Sequence, residues 1–592
     1  MSANDEVASR LEEFADLLEA RDVEYKPRAY RRAAENVREY TGDAAALAAD
    51  GEDAVGEIEG VGDAISSKVV EYFETGSIDE LDELRTELPV DMAALTRVEG
   101  VGPKSVGSLY EALGVETLDD LQAAAEAGEI RDVSGFGAKT EQNILGNVEF
   151  AREATERELL GEARPRGDAV VDYLRDRPGV DRIDLAGSLR RWKETIGDVD
   201  VLVGSEEPEP VVDAFTDWPN ADAVIEAGDQ KASVRSGGVR VDLRVVDPAE
   251  FGSALQYFTG SKDHNVKVRN IAIDRDLKMN EYGVFDVSEA RSASESRTES
   301  GDVDDPEADQ RAGERVAGET EEGMYAALAL PWMPPELREN WGEVEAASDG
   351  ELPDLLEEGD VRGDLHVHSN WSDGDATVSE MVEGAASFGH DYVAVTDHAT
   401  GPGMVGGVGL PDEELREQRD EVHTVAEAVD IGVFAGVEAN ISTDGSVSVA
   451  DDLLAELDVV VASPHAGLDG DGTDRLVAAA EHPEVDIIGH PTGRYINRRS
   501  GLDVDVERLA TVAADTGTAL EINANPARLD LGGGAVKAAV DSGATVAINT
   551  DAHRPTRYGL VRYGVHTARR GWAEETDVLN TRGVEGLREF LE

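Results

Sequence analysis

Three stretches near the N-terminus share one pattern of apolar and polar positions: an apolar residue, a Gly-x-Gly step, then apolar residues at helical spacing. Ile58-Glu59-Gly60-Val61-Gly62 runs into ISSKVVEYF, Val98-Glu99-Gly100-Val101-Gly102 into KSVGSLYEAL, and Val133-Ser134-Gly135-Phe136-Gly137 into KTEQNIL. The repeat predicts helix-hairpin-helix units. From about residue 155 to 250 the apolar runs become strand-like, at 183–185, 199–203 and 239–246, and predict a mixed α/β sheet. Residues 255–345 begin densely patterned and then pass through SEARSASESRTESGDVDDPEADQRAG. Almost nothing there is apolar, so a flexible acidic insertion is expected at about 288–312, with order resuming near Glu314. After an acidic linker around 343–360, strand-like runs alternate with helical stretches: DLHVH, DYVAVTDH, GVFAGVEAN, DVVVASPH, VDIIGHP, ALEINAN and TVAINTDAH. That alternation predicts a parallel barrel with its site at the C-terminal ends of the strands.

A chain of 592 residues exceeds one core, so several modules are expected. No apolar run approaches a bilayer span, and the acidic start lacks a secretory pattern, which predicts a cytoplasmic protein without a membrane partner. With no cysteine, metals must be held by His, Asp and Glu. The charge changes the picture more. Asp plus Glu number 126 against 54 Lys plus Arg, a net of −72, with only 10 Lys to 44 Arg. Such a surface resembles those of extreme halophiles, where molar salt cuts the Debye length to about 3 Å. Nucleic acid is therefore not excluded, provided the contacts survive salt. Backbone amides at glycine turns and close arginine hydrogen bonds meet that condition. Gly60, Gly62, Gly100, Gly102, Gly135 and Gly137 are the expected DNA contacts of the hairpins.

Candidate chemistry falls in two places. In Gly187-Ser188-Leu189-Arg190-Arg191-Trp192-Lys193, followed by Gly197-Asp198-Val199-Asp200, two carboxylates share one strand face, and Asp242 in VRVDLRVV supplies a third. Three converging carboxylates suit a pair of Mg²⁺ ions, or Mn²⁺, that activate a 3′-hydroxyl and clamp a triphosphate. Ser188 and Arg191 suit the triphosphate oxygens. This segment resembles the palm of family X DNA polymerases, the polymerase beta type, and Gln256-Tyr257-Phe258-Thr259-Gly260-Ser261 resembles their nucleotide-pocket motif. The resemblance implies that Tyr257, Phe258, Gly260 and Ser261 lie at the incoming nucleotide, with Asn265 and Arg269 at the nascent base pair. It places Lys262 and His264 in the bacterial and archaeal version of the segment. It also implies a lyase-type N-terminal domain, with Arg28 and Tyr30 of RAYRR on its 5′-phosphate side and Lys68 as the Schiff-base lysine. The second pocket lysine is missing, since Ala64 takes its place, so lyase activity is expected to be weak.

Six of the eleven histidines, His366, His368, His398, His465, His490 and His553, stand at strand ends with Asp373, Glu438 and Asp551. The pattern resembles the PHP domain of bacterial and archaeal family X polymerases, which implies nine ligands for three metals, Mn²⁺ or Zn²⁺. His390, His423, His482 and His566 lie outside these motifs and read as structural or exposed. The expected organisation is a helical lyase-like domain at 1–90, helix-hairpin-helix fingers at 91–154, an α+β nucleotidyltransferase palm at 155–254, a thumb at 255–345 and an α/β PHP barrel at 360–592. The expected function is template-directed, short-gap DNA repair synthesis with 3′-end processing. The expected partners are gapped or nicked DNA and dNTPs, and a monomer is expected. Two alternatives compete: a DNA-binding scaffold with a silent polymerase site, and a barrel acting as a histidinol-phosphate-type phosphatase.

Overall fold

The computed structural model describes residues 3–23, 26–39, 44–56, 58, 60–98, 100–155, 157–288, 310–404 and 408–591. Glu59 and Glu99 of the repeats, and all but the ends of the expected insertion, lie outside the described residues.

Through Thr155 the described residues form helices and turns around one apolar core that includes Leu11, Phe14, Leu81, Leu95 and Leu109. All three repeats make the same turn. The carbonyls of Ile58, Val98 and Val133 accept from the amides of Val61, Val101 and Phe136, at 3.1, 2.9 and 3.1 Å. The third residue of each turn is Gly60, Gly100 or Gly135, with φ of 73°, 83° and 93°, a conformation that favours glycine. Gly62 and Gly102 then cap helices Asp63–Thr75 and Pro103–Leu113, and Gly137 precedes Ala138–Thr155. A Cβ on Gly62, Gly100, Gly102, Gly135 or Gly137 would meet nothing within 4 Å. The space over these turns is open to another molecule's backbone.

Strand β1 (Glu158–Leu159) pairs antiparallel with β3 (Thr195–Ile196). The next sheet contains β2 (Arg182–Leu185), β4 (Val199–Gly204), β5 (Ala223–Ala227), β6 (Lys231–Ser236) and β7 (Val239–Val246), in the order β2-β4-β7-β6-β5. Only β4 and β7, at its centre, run parallel. The alternation in VRVDLRVV sends Val239, Val241, Leu243 and Val245 into the core and turns Arg240, Asp242 and Arg244 to the other face. Helices Phe251–Thr259 and Lys262–Asp274 lead to an antiparallel sheet of β8 (Leu277–Asn280), β9 (Gly283–Asp286) and β10 (Glu314–Ala317). The linker expected around 343–360 is corrected at its start. It opens as helix Glu343–Asp349, whose Val344 and Ala347, three apart on one face, join the core of Met324 and Leu328.

Seven strands complete the fold: β11 (Gly363–Val367), β12 (Tyr392–Val395), β13 (Gly432–Asn440), β14 (Val459–Ser463), β15 (Ile487–Ile488), β16 (Ala519–Asn523) and β17 (Val546–Asn549). They pair in parallel in chain order. A parallel bridge between Val367 and Ala552 brings the last strand back to the first, so the barrel is nearly closed. Most of these strands are buried end to end, which is why they read as apolar runs without alternation. The barrel is docked on the first sheet. Leu529 and Tyr563 enter that sheet's core, and the Trp192 indole stacks on His566 with centroids 3.6 Å apart. No described helix is long and apolar enough to cross a membrane.

Candidate metal centres

Because β4 and β7 are parallel neighbours with Asp200 directly opposite Asp242, both carboxylates emerge on the same face. Asp198, one residue ahead of β4, completes the group, and the three offer oxygens within 4.8 Å of one another. Burial, reinforced by repulsion from Asp198 and then Asp242, pushes Asp200 up to about 7, and burial raises Asp198 as well. A cluster so short of positive charge fits a divalent cation. Arg157, Arg191 and Arg244 offset the repulsion only in part, and Arg240 makes a direct contact, its Nε donating to Asp242 Oδ1 at 2.8 Å. Gly187 makes room for the group. Its φ is 63°, and a Cβ there would fall 2.1 Å from Asp200 Oδ2.

Ser188 follows Gly187, which adjoins Asp200, in the turn Gly187–Arg190. Arg191, expected on triphosphate oxygens, is bound to the thumb in this structure. Its Nη1 donates to the Thr259 carbonyl at 2.6 Å and its Nε to Glu339 Oε1 at 2.9 Å. In the pocket motif, the Tyr257 and Phe258 rings lie 5.1 Å apart and nearly perpendicular, with Arg244 over Phe258 at 4.2 Å. Asn265 Nδ2 donates to the carbonyls of Tyr257, at 2.7 Å, and Gly260, at 3.2 Å, which fixes the turn between the two helices. A Cβ on Gly260 would come 2.5 Å from Asn265 Oδ1. Ser261 caps the second helix, Lys262 is exposed on its first turn, and Arg269 is half-buried one turn beyond Asn265.

Two expected contacts are corrected. His264 does not face the nucleotide pocket. It shares the buried stripe of Val268 and Ala272, with Nδ1 2.6 Å from Glu343 Oε1 and Nε2 3.0 Å from the Tyr325 hydroxyl. Tyr30 does not face solvent either, because its ring packs on Phe14 at 4.6 Å, whereas Arg28 is exposed. Lys68 Nζ lies 2.6 Å from Glu80 Oε2. Burial would lower its pKa, but hydrogen bonding to Glu80 and the charge of Tyr30 outweigh that and raise it.

At the barrel mouth the structure brings all nine expected side chains together. His368, Asp373, His398 and His553 form one cluster, His366, His368 and Glu438 a second, and His398, Glu438 and His465 a third. His490 Nε2 reaches Glu438 Oε1 at 2.9 Å, and Asp551 Oδ1 lies 3.1 Å from His368 Nε2. His366 Nε2, both nitrogens of His368, His398 Nδ1 and Glu438 Oε2 are buried and make no well-aligned hydrogen bond, although His398 Nδ1 lies 2.6 Å from Glu438 Oε2 and His368 Nε2 lies 3.1 Å from Asp551 Oδ1. Nitrogen and oxygen lone pairs converging in a buried site fit metal cations. The cluster is strongly polarised even so: burial would lower His398, but Glu438 and Asp373 outweigh it and push it up to about 10, while Glu438 is held well below the usual carboxylate range.

Sequence reasoning missed the groups that orient these ligands. Glu521 on β16 accepts from His366 Nδ1 at 2.8 Å, Asn440 on β13 meets His465 Nδ1 at 2.8 Å, and Asn523 donates to Asp551 Oδ2 at 3.1 Å. Their signal was polar residues inside ALEINAN, read only as a strand, and inside GVEAN, from which only Glu438 was taken.

Comparison with known proteins follows these divisions. Residues 2–78 match the helix-hairpin-helix domain, 92–146 the SAM-like helix-hairpin-helix tandem, 254–339 the DNA polymerase beta thumb and 364–525 the PHP domain. Fold and clusters together define a metal-dependent nucleotidyltransferase joined to a metal-dependent phosphoesterase. The DNA polymerase/3′-5′ exonuclease PolX of Bacillus subtilis (strain 168) is 37% identical over 541 residues, covering 90% of each chain. The chain belongs to the family X DNA polymerases that carry a C-terminal PHP domain. DNA polymerase lambda of Rattus norvegicus is 27% identical over 303 residues, 48% of each chain. A probable phosphatase of Thermoanaerobacter sp. (strain X514) is 29% identical over 245 residues, 38% of this chain and 93% of its own.

Proposed function

We propose that this polymerase and 3′-5′ exonuclease fills short gaps in gapped or nicked DNA, using dNTPs, and trims or unblocks the 3′ end it is about to extend. The observation that carries this reading is the coexistence of the carboxylate triad and the complete nine-residue barrel cluster on one chain. Asp198, Asp200 and Asp242 would hold two Mg²⁺ or Mn²⁺ ions, which would supply acidification of the primer hydroxyl and neutralisation of the pyrophosphate charge. Ser188 and Arg191 bind the triphosphate, so Arg191 exchanges its Glu339 contact for phosphate oxygens. Tyr257 and Phe258 flank the sugar, Gly260, Ser261 and Lys262 line the pocket, and Asn265 and Arg269 face the nascent pair. The nine barrel residues would hold three Mn²⁺ ions, with Zn²⁺ the alternative. The hairpin glycines and Arg28 grip DNA backbone. The working units are those expected from the sequence, at 1–90, 91–154, 155–254, 255–345 and 360–592, in a monomer.

The test is a gapped duplex with a 3′-phosphorylated primer, incubated with each metal, with and without dNTPs. Unblocking without dNTPs and extension with them are expected. Extension of an unblocked primer with no hydrolysis under any metal would overturn the coupled reading.

Two expectations follow from charge and from the lyase pocket. Primer extension is expected to persist or rise between roughly 0.1 and about 3 M KCl, because amide contacts release few counterions. A sharp optimum at the low end would remove the halophile assignment. Borohydride trapping on an incised abasic site is expected to give at most a faint adduct, since Lys68 is bound to Glu80 and its pKa is raised. Strong trapping that disappears in Lys68→Ala would reverse that.

A further inference from the structure

We infer that Arg528 and Tyr495 form a nucleotide subsite at the mouth of the barrel centre, Arg528 gripping the phosphate of the 3′-terminal nucleotide and Tyr495 stacking on its base. The inference rests on the proposed 3′-end activity and deepens it by naming what recognises the substrate. A cavity of about 230 Å³ opens on the centre, and beyond six of the nine candidate ligands its lining is Met404, Tyr495, Asn525 and Arg528.

Arg528 is the unusual member. Its side chain is only 17% exposed, yet its nearest carboxylate oxygen, Asp551 Oδ2, is 3.9 Å from Nε, beyond hydrogen-bond reach. Among the described residues its guanidinium makes no hydrogen bond. Its donors open onto the cavity with no carboxylate in hydrogen-bond reach, and its planar fork suits phosphate oxygens. The backbone holds it in place: its amide donates to Asn525 O at 2.7 Å, and its carbonyl accepts from Arg494 Nε at 2.8 Å.

Tyr495 is presented just as firmly. Its amide and carbonyl both pair with Arg499, at 2.9 and 2.7 Å. Its half-buried ring lies 5.1 Å from the Arg528 guanidinium and 5.9 Å from that of Arg498. An aromatic face next to a phosphate-gripping arginine matches a nucleotide, whose base stacks while its phosphate is held. A small phosphomonoester would use the arginine and leave the tyrosine idle. The third glycine turn, proposed above to grip DNA backbone, also lies near this mouth. Lys139, two residues past the third glycine turn, reaches Asp469 at 3.6 Å, in the segment that follows His465.

The test uses the full-length, Mn²⁺-loaded protein and two substrates, the p-nitrophenyl ester of thymidine 5′-monophosphate and p-nitrophenyl phosphate. Calorimetric binding of dTMP gives a readout independent of turnover. Arg528→Gln is expected to lower kcat/KM on both substrates by about tenfold to a hundredfold, with partial recovery in Arg528→Lys. Tyr495→Ala is expected to lose about tenfold on the nucleotide ester alone, mainly in KM, with Tyr495→Phe unchanged. Both Arg528→Gln and Tyr495→Ala should weaken dTMP binding at unchanged metal content. If Arg528→Gln fails to fold, Tyr495→Ala still decides the base contact. Binding of dTMP within about twofold of wild type in both variants overturns the subsite. A Tyr495→Ala enzyme that is unimpaired on the nucleotide ester, beside an Arg528→Gln enzyme impaired on p-nitrophenyl phosphate, places a small phosphomonoester there instead and also overturns it. A wild type that binds dTMP through these residues but releases no nucleotide from DNA overturns the 3′-end reading and leaves the subsite standing.

Discussion

Asp242→Ala is expected to reduce primer extension by on the order of 10³-fold or more, because it removes one of three carboxylates from a site that works by concentrating cations. The structure makes Asp242 the cleanest of the three to test. It sits on a central strand whose alternate residues Val241 and Leu243 anchor it in the core, so an alanine there should not disturb the sheet. Its loss does free Arg240, which is paired with it in the present structure. Single-turnover extension of a gapped primer measures the effect, and 3′ hydrolysis by the barrel serves as the internal control and should be unchanged. Extension at the wild-type rate would show that the triad is not the polymerase centre.

The second large effect is expected at Asp551 and His553. The two residues serve different sides of the barrel cluster: Asp551 approaches His368 and lies beside Arg528, while His553 Nε2 lies 3.3 Å from Asp373 Oδ1. Asp551 has a left-handed backbone, with φ of 54°. Asparagine tolerates that conformation better than alanine does, so Asp551→Asn removes the charge without adding strain. Asp551→Asn and His553→Ala are each expected to lower 3′ cleavage by about a hundredfold or more and to reduce bound metal, while an unblocked primer is extended normally. Metal analysis alongside a 3′ resection assay checks both. A variant with full cleavage and depleted metal would dissociate the cluster from the chemistry.

Both clusters were legible in the sequence for a simple reason. Parallel strands put their functional residues at repeated, recognisable places, in DLHVH, TDH, SPH, GHP and TDAH, and the apolar run VRVDLRVV marked Asp242 as a third carboxylate from a neighbouring strand. The three glycine turns were equally plain, since a positive φ at a fixed position leaves glycine as the natural choice. What failed depended on which way a helix faces. His264 and Tyr30 sit in motifs rich in functional neighbours, yet their helices turn them inward, to Glu343 and Phe14. No local pattern encodes a partner 79 positions away. Glu521 was hidden in a strand that read as core, and Tyr495 and Arg528 lie in the loops that follow the neighbouring strands β15 and β16, far apart in sequence and brought together by that pairing.

Glu339 Oε1 receives Arg191 Nε at 2.9 Å and Arg570 Nη1 at 3.0 Å, and Arg570 also donates to the Arg191 carbonyl at 2.6 Å. A single carboxylate oxygen thus knots the thumb, the segment after Gly187–Arg190 and a barrel helix, next to the stacked Trp192 and His566. Cutting the chain between the two catalysts would expose surface that each covers on the other. Removing the barrel would strip the cover from an indole on the same turn as Ser188 and leave Glu339 with one cation instead of two. A descendant gene that shed its barrel would first have to make that turn presentable to water. The join between synthesis and trimming is in this respect a ratchet, easier to acquire than to undo.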